Sequence, residues 1–115
     1  MTDLDARLAG EISTAVSHHY RSRTGHGPTN TRASVSDGVV VVTLERLLSE
    51  AESYLVQTGK AQTVDSARRA LHAALRRELA PVMEQLTGRR VTALTGDHDL
   101  ELNVAVHIFL LDSAP

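Results

Sequence analysis

Four consecutive valines follow an Asp-Gly pair near the middle of the chain, and they constrain the fold more than any other stretch. Asp37-Gly38 is typical of a two-residue type I′ hairpin turn, in which both central residues have a positive φ. Val39 to Val42 is β-branched and apolar on both faces, so we expect a central strand rather than an edge strand. Ser49 and Glu52 have the spacing of a capping box, which predicts a helix directly after this strand.

The length and composition of the chain indicate one domain, which we assign to residues 1–115. There is no cysteine, which excludes disulfides, thiolate metal ligands and a cysteine nucleophile. No apolar run approaches the ~18 residues of a membrane span, and the N-terminus is acidic and amphipathic, unlike a secretory signal. We therefore expect a soluble, cytoplasmic protein.

The first half of the chain predicts a helix followed by a hairpin. Apolar side chains recur every four residues on one face of the first helix, at Leu4, Leu8, Ile12, Val16 and Tyr20. This helix should end before Gly25, because Gly25-His26-Gly27-Pro28 combines a capping glycine with a proline. Residues 30–36 alternate in polarity and should form a half-exposed strand that pairs with residues 39–47.

The second half predicts two helices and a second hairpin. The second helix should run over residues 50–58, and the third should begin at an N-cap on Thr63 and end at Gly88, with a kink or break at Pro81. Gly96-Asp97-His98-Asp99 is expected to form the hairpin turn. Two apolar sets then alternate along the last strand. We assign Leu100, Leu102, Val104, Val106, Ile108 and Leu110 to its core face, and Ala105, Phe109 and Leu111 to the opposite face.

The predicted order is α-β-β-α-α-β-β, which favours an α+β fold. We expect a two-layer sandwich, in which helices pack on one face of a four-stranded, mostly antiparallel sheet. The second sheet face would then expose apolar residues, which is costly in a short chain. This conflict predicts a symmetric homodimer through the open face, with Val39, Val41 and Phe109 at the interface. The alternative is a monomer in which the third helix, or its continuation after Pro81, covers the second face.

No catalytic signature is present, and a structural role is the favoured interpretation of the candidate histidines. His18 and His19 are adjacent on a helix and point about 100° apart, so they cannot share one ligand. Asp97-His98-Asp99 carries metal-ligand types but is expected to be a turn and not a metal site. His107 lies mid-strand among aliphatic residues, as a core or interface histidine or as a functional one. We therefore predict no enzyme activity, no metal and no cofactor.

The third helix carries the main charge cluster. Arg68, Arg69, Arg76 and Arg77 are spaced so that Arg69, His72 and Arg76 could form one exposed stripe. Such a surface could bind phosphate, a nucleotide or an acidic partner. The net charge of −2 and the lack of interleaved aromatic residues argue against a nucleic-acid partner. The alternative is that the arginines only form a solvent-exposed helix face and bind no ligand.

Several short motifs cover nearly the whole chain in a fixed order: Gly25-His26-Gly27-Pro28, Asp37-Gly38-Val39-Val40-Val41-Val42, Leu47-Leu48-Ser49-Glu50-Ala51-Glu52, Arg76-Arg77-Glu78-Leu79 and Leu86-Thr87-Gly88-Arg89-Arg90-Val91. In their order and spacing they resemble the MpsC-like family, named for the third component of a sodium-translocating, membrane-potential-generating system.

The resemblance implies an association with a membrane transport system for sodium or inorganic carbon. A chain without a membrane span cannot translocate an ion itself, so the implied role is that of an accessory or regulatory subunit, peripheral to the membrane through a partner. We therefore expect a non-enzymatic interaction module. The alternative is a small-anion or nucleotide-binding regulatory domain that uses the basic third helix.

Overall fold

The computed structural model describes residues 3–113. In this part of the chain the elements are α1 (Asp3–Thr24), β1 (Asn30–Ser36), β2 (Val39–Glu45), α2 (Glu50–Gln57), α3 (Ala61–Thr87), β3 (Val91–Asp99) and β4 (Val104–Leu111). The strands form one antiparallel sheet in the order β1-β2-β4-β3. This arrangement confirms the predicted α+β class and the predicted element order.

Two predicted caps are confirmed, and one turn type is wrong. Ser49 Oγ accepts a hydrogen bond from the Glu52 amide, and the Glu52 carboxylate accepts one from the Ser49 amide, so the capping box is complete. Gly88 ends α3 in the left-handed conformation, with a φ of 71°. Gly38 also has a positive φ, of 79°, but Asp37 does not, so the first hairpin turn is not type I′.

The third helix begins earlier than predicted, and it is not broken at its proline. It begins at Ala61 after Lys60, so Thr63 lies inside the helix and is not its N-cap. Pro81 also lies inside α3, which continues to Thr87 without a break. Leu79 and Met83, on either side of the proline, are fully buried, so packing against the core holds both halves in one helix.

The core lies between the helices and one face of the sheet, which we call the inner face. Helices α1 and α3 contribute Ile12, Val16, Tyr20, Leu75, Leu79 and Met83, and the sheet contributes Val40, Val42, Leu44, Ala105 and Phe109. The predicted α1 stripe is therefore buried from Ile12 to Tyr20 and partly buried at Leu8, while the Leu4 side chain lies outside the described residues.

The predicted faces of the last strand are inverted. Phe109 pairs with Val40 and is fully buried on the inner face. Val104, Val106, Ile108 and Leu110 therefore lie on the opposite face, which we call the outer face. Both alternating sets are apolar, so their period alone does not say which of them meets the helices. The assignment of Phe109 to an exposed interface is wrong.

The second hairpin turn lies later than predicted. Asp97, His98 and Asp99 belong to β3, and the turn is formed by residues 100–103. Asn103 adopts a φ of 55°, and its Oδ1 accepts hydrogen bonds from the amides of Leu47 at 2.9 Å and Leu48 at 3.1 Å. These bonds join the turn to the segment before α2. Local turn preferences cannot reveal such a connection, because the bonded residues lie far apart in the sequence.

Candidate functional site

A group of polar side chains lies between α3, its neighbouring helices and the inner face of the sheet, and all of its members are buried except Glu52, which is partly exposed. We call Tyr20, Glu52, Arg68, His72, Arg76 and His107 the polar cluster. Arg68, His72 and Arg76 are four residues apart, which places them on one face of α3, and they are only 5%, 3% and 9% exposed. His107 faces them from β4 with no exposed surface. Buried polar groups are costly unless they are bonded to one another, so their partners decide what the cluster does.

Four members of the cluster form a directed chain of hydrogen bonds. Arg76 Nε donates to His107 Nδ1 at 2.9 Å, because a guanidinium group has no acceptor. A neutral His107 therefore carries its proton on Nε2 and donates it to Tyr20 Oη at 2.7 Å. The tyrosine hydroxyl then donates to His72 Nδ1 at 2.6 Å. By this assignment His72 is protonated on Nε2, and no described residue accepts a hydrogen bond from that atom.

Burial keeps both histidines of this chain neutral. Desolvation lowers the pKa of His72 to about 4, and the nearby Arg68 guanidinium lowers it further in the same direction. Desolvation is the largest cause that lowers the pKa of His107 to about 3, and the charge of Arg76 is the second. Desolvation also raises the pKa of Tyr20 above its ordinary value, against the opposing charges of the two arginines. At neutral pH, the cluster's charges are those of two guanidinium groups and the Glu52 carboxylate.

Arg68 joins α2 to α3. Its Nε and Nη2 donate to the two Glu52 carboxylate oxygens at 2.7 and 2.6 Å, and Nη2 also donates to the Leu47 carbonyl at 3.0 Å. These bonds, with hydrogen bonding from Arg68 as the largest cause, lower the pKa of Glu52 to about 2. Since α2 has no buried residue, this ion pair is a main attachment of that helix. The Nη1 atom of Arg68 is buried without a hydrogen-bond partner in the described part of the chain.

Arg76 requires a glycine opposite it on β3. A Cβ atom built on Gly96 would lie 2.6 Å from Arg76 Cζ and would overlap Nη2 and the Val106 carbonyl oxygen. The guanidinium group therefore lies directly over the Gly96 backbone. Desolvation at this position lowers the pKa of Arg76.

Replacing Gly96 with alanine should displace Arg76 and break its bond to His107. We expect the free energy of unfolding, measured by urea denaturation, to fall by about 1–3 kcal/mol, the usual cost of overpacking a core. Gly10→Ala is the matched control, because no atom lies within 4 Å of a Cβ there and α1 should be unharmed. Equal stability of wild-type and Gly96→Ala proteins would contradict the close approach of Arg76.

A small cavity lies at the α2 end of the polar cluster. Its volume is about 10 Å³, and its lining residues are Leu47, Leu48, Arg68, His72, His98, Asp99, Leu100, Asn103 and Val104. His98 closes one side, since its Nε2 lies 2.8 Å from Asp65 Oδ1 and its ring centroid lies 5.4 Å from that of His72. Arg68 and His72 thus bring polar groups without protein partners to this cavity.

The four arginines predicted as one ligand-binding surface lie in two different environments. Arg68 and Arg76 are buried in the polar cluster, whereas Arg69 and Arg77 are exposed. Arg69 lies 3.6 Å from Asp65 and 3.3 Å from Asp97, both weak surface contacts. The expected exposed stripe of Arg69, His72 and Arg76 is therefore wrong, because only the first of these faces solvent. Ligand binding by any of the arginines stays a prediction.

The remaining candidate residues are separated in space. His19 Nε2 lies 2.7 Å from Glu78 Oε1, which joins α1 to α3, while His18 is exposed. Within residues 3–113, no three histidine or carboxylate side chains converge on a point where a metal ion could bind. No helix in that range is long and apolar enough to cross a membrane.

Sequence reasoning missed Tyr20, Glu52 and His72 as members of one site. A signal for part of it was present on α3, where Val64, Arg68, His72, Leu75, Leu79 and Met83 continue one buried stripe at three- and four-residue spacing. An arginine and a histidine inside an apolar stripe indicate buried polar groups. Their partners on α1, α2 and β4 lie far away in sequence and carry no such signal.

The fold and the cluster define a two-layer α+β protein with helices on a single sheet face and a buried hydrogen-bonded polar cluster between the layers. The chain belongs to the MpsC family: residues 5–113 match the family model described as a Na⁺-translocating membrane potential-generating system. A search of curated proteins found no match, and a search of solved structures also found none.

Proposed function

We propose that this chain is a non-enzymatic accessory module of a membrane-potential-generating sodium system, and that it assembles as a homodimer through the outer face of its sheet. The family description supports the association with such a system. The observation that carries the assembly is the apolar outer face, which no described helix covers. A homodimer of this kind would reach the membrane from the cytoplasm through a partner protein.

The outer face presents apolar side chains from the two central strands. They are Val39 and Val41 on β2 and Val104, Val106, Ile108 and Leu110 on β4, and Leu110 is 41% exposed. Four strands about 4.8 Å apart and seven residues long give the face roughly 400 Å² in projection. Each partner contributes one such face, so its projected area is about half of the ~800 Å² per partner of a specific interface, and the corrugation of the side chains adds accessible area to this projection.

The charges at the two edges of the outer face favour a second copy as the occupant. The strand register places Arg32, Thr43, Val106 and Asp97 in one row across the sheet. A two-fold axis parallel to the strands would place β1 of one copy over β3 of the other, in the same row. Arg32 would then lie opposite Asp97 of the second copy. Arg32 is 73% exposed and has only a long contact, of 3.9 Å, with Glu45. Asp97 is 72% exposed, and its Oδ1 accepts the His98 amide and Arg69, which leaves Oδ2 for Arg32 of the second copy.

Exchanging these two charges tests the arrangement. We expect Arg32→Asp to raise the dimer dissociation constant about tenfold, because it places two carboxylates opposite each other. The double variant Arg32→Asp/Asp97→Arg should restore the wild-type constant. Sedimentation equilibrium measures both effects.

Arg77→Asp is the control for the charge exchange, since it makes the same change on the exposed side of α3 and should leave the dimer intact. A wild-type protein that sediments as a monomer would refute the homodimer. A dimer that is indifferent to the charge at residue 32 would refute this packing of the sheets.

The alternative function, a regulatory domain that binds anions on the basic third helix, loses part of its support. Of its four arginines, Arg68 and Arg76 are buried, so Arg69 and Arg77 would have to bind a phosphate without them. We therefore favour the interaction module.

A further inference from the structure

We propose that the cleft between α1 and the start of β1 binds a phosphate group. Helix α1 contributes Thr14, His18 and Arg21 to the lining of this cleft, and β1 contributes Asn30 and Thr31. The inference is independent of the proposed function, since the lining residues belong to one chain and the cleft needs no second copy. It depends on an unpaired guanidinium group, on unused hydrogen-bond donors, and on the charge and size of the cleft.

Arg21 supplies the positive charge. It is exposed, and its guanidinium group makes no hydrogen bond or ion pair within residues 3–113. By contrast, the neighbouring Arg23 donates to Glu78 at 2.9 Å. A guanidinium group can donate to two oxygens of one phosphate at once, so Arg21 is available for such a ligand.

Gly27, in the loop after α1, packs against this guanidinium group. A Cβ atom built on Gly27 would lie 3.3 Å from Arg21 Nη2 and 3.4 Å from Nε. Gly27 does not share the positive φ of Gly25, so its backbone conformation does not require a glycine. The space that the Arg21 side chain occupies therefore explains the glycine, and the loop limits where the guanidinium group can lie.

Further donors line the cleft without partners. The side chains of Thr14, Thr29 and Asn30 make no hydrogen bond within the described part of the chain. Ser17 Oγ donates to Thr31 Oγ1 at 2.7 Å, so the Thr31 hydroxyl keeps its own proton for another acceptor. These hydroxyl and amide donors come from both sides of the cleft. They suit a tetrahedral ion, whose oxygens point in several directions, better than a flat carboxylate.

The charges that line the cleft favour an anion. Among the described residues of the lining, none is an aspartate or a glutamate. His18 lies one turn from Arg21 on the same helix. Only its Nε2 has a contact, at 3.4 Å from Ser22 Oγ, so Nδ1 is available to the ligand.

Other nearby groups oppose an anion and limit the affinity. Glu11 lies on α1 one turn before Thr14, outside the lining of the cleft. Glu45 lies on the neighbouring strand, and its carboxylate is 3.9 Å from Arg32. The carboxyl end of α1 is also close, and that end of a helix repels negative charge. We therefore expect millimolar-scale binding rather than tight binding.

The size of the cleft suits a polyatomic anion. Its volume is about 410 Å³, far more than the ~10–15 Å³ that one water molecule needs. Thr14, His18, Arg21 and Thr29 are exposed, so the cleft is open to solvent. Inorganic phosphate and the phosphate of a lipid head group share the chemistry that the cleft recognises, and the tests below distinguish these two sources.

The direct test is an NMR titration of the wild-type protein with sodium phosphate, at constant ionic strength with chloride as the balancing salt. We expect saturable shifts of the backbone amides of residues 14–21 and 29–31. Sodium acetate at the same concentration should cause much smaller shifts. Shifts that lie elsewhere, or an equal response to acetate, would overturn the proposal.

A charge variant tests the role of Arg21. Arg21→Gln should weaken phosphate binding at least tenfold, because it removes the charge and the paired donors. Arg7→Gln is the matched control, since it removes the same charge from an exposed position on α1 outside the cleft and should keep the wild-type affinity. Equal affinity in Arg21→Gln and the wild-type protein would refute the site.

A glycine variant tests the position of the guanidinium group. Gly27→Ala should weaken phosphate binding several-fold, because the new methyl group displaces Arg21 without removing its charge. Gly10→Ala, where no atom lies within 4 Å of a Cβ, should bind phosphate as the wild-type protein does. Wild-type affinity in Gly27→Ala would contradict the assigned geometry.

Cosedimentation with phosphatidylglycerol vesicles identifies the source of the phosphate. Vesicle binding that inorganic phosphate competes away, and that Arg21→Gln weakens, would identify a lipid head group as the ligand. Phosphate-induced shifts without vesicle binding would identify a free phosphate. Failure of the wild-type protein to bind either probe would overturn the proposal.

Discussion

Phe109→Asp should leave the chain unfolded rather than dissociate a dimer. Phe109 is fully buried on the inner face, where it pairs with Val40 and packs within the main core. Truncating a buried phenylalanine costs about 3–5 kcal/mol, and an unpaired buried carboxylate adds to this cost. A small domain is stable by only about 5–15 kcal/mol. Circular dichroism and one-dimensional NMR would detect the loss of structure.

Ile108→Asp is the matched control for this prediction, because it introduces the same charge one residue earlier on the outer face. The folded subunit should survive, since the strand register places Ile108 on the outer face, away from the main core, while the proposed dimer should dissociate into monomers. A folded Phe109→Asp protein would contradict the inner-face assignment. A dimeric Ile108→Asp protein would move the interface away from the outer face.

Acid should destabilise the fold well above the pH at which most carboxylates titrate. His72 and His107 have an ordinary pKa of 6.5, which burial lowers to about 4 and about 3. Below pH 6.5 the unfolded chain therefore binds protons that the folded chain does not bind. Stability is fully present above that value and is lost as the pH falls toward 4. At 1.36 kcal/mol per pKa unit, each histidine contributes a loss of about 3 kcal/mol between pH 6.5 and 4, and His107 adds a further loss as the pH falls toward 3.

Urea denaturation at a series of pH values measures this loss. His72→Gln should flatten the dependence between pH 6.5 and 4 by removing one of the two titrations, even though it also weakens the fold by breaking the bond to Tyr20. The exposed His18→Gln variant should keep the wild-type slope. Stability that stays constant over this range would show that the two buried histidines are not held neutral.

Local sequence signals identified the helices and strands, because caps and apolar periods depend only on residues that are close together in the sequence. The Ser49–Glu52 capping box joins residues three apart, and Gly88 ends a helix through its own backbone conformation. The α1 stripe from Leu8 to Tyr20 needs only the period of a helix. The order of helices and strands, and hence the α+β class, follows from such signals.

Longer-range contacts decided what local signals left open. The second hairpin turn lies at residues 100–103 because Asn103 accepts amides from the segment before α2, although Gly96-Asp97-His98-Asp99 has the more turn-like composition. Pro81 stays inside α3 because Leu79 and Met83 are both anchored in the core. In both cases a tertiary contact outweighed a local preference: the turn preference of residues 96–99 in the first, and the helix-breaking preference of Pro81 in the second.

The sequence by itself determined the order of helices and strands, the presence of two antiparallel hairpins and the presence of two apolar sheet faces. Only the tertiary structure decided which face the helices cover, because both alternating sets on β4 are apolar and a strand's period is the same for either choice. Only the tertiary structure also assembled the polar cluster. Arg68 and Arg76 are buried because Glu52 and His107 meet them from positions 16 and 31 residues away, which no spacing along one helix can reveal.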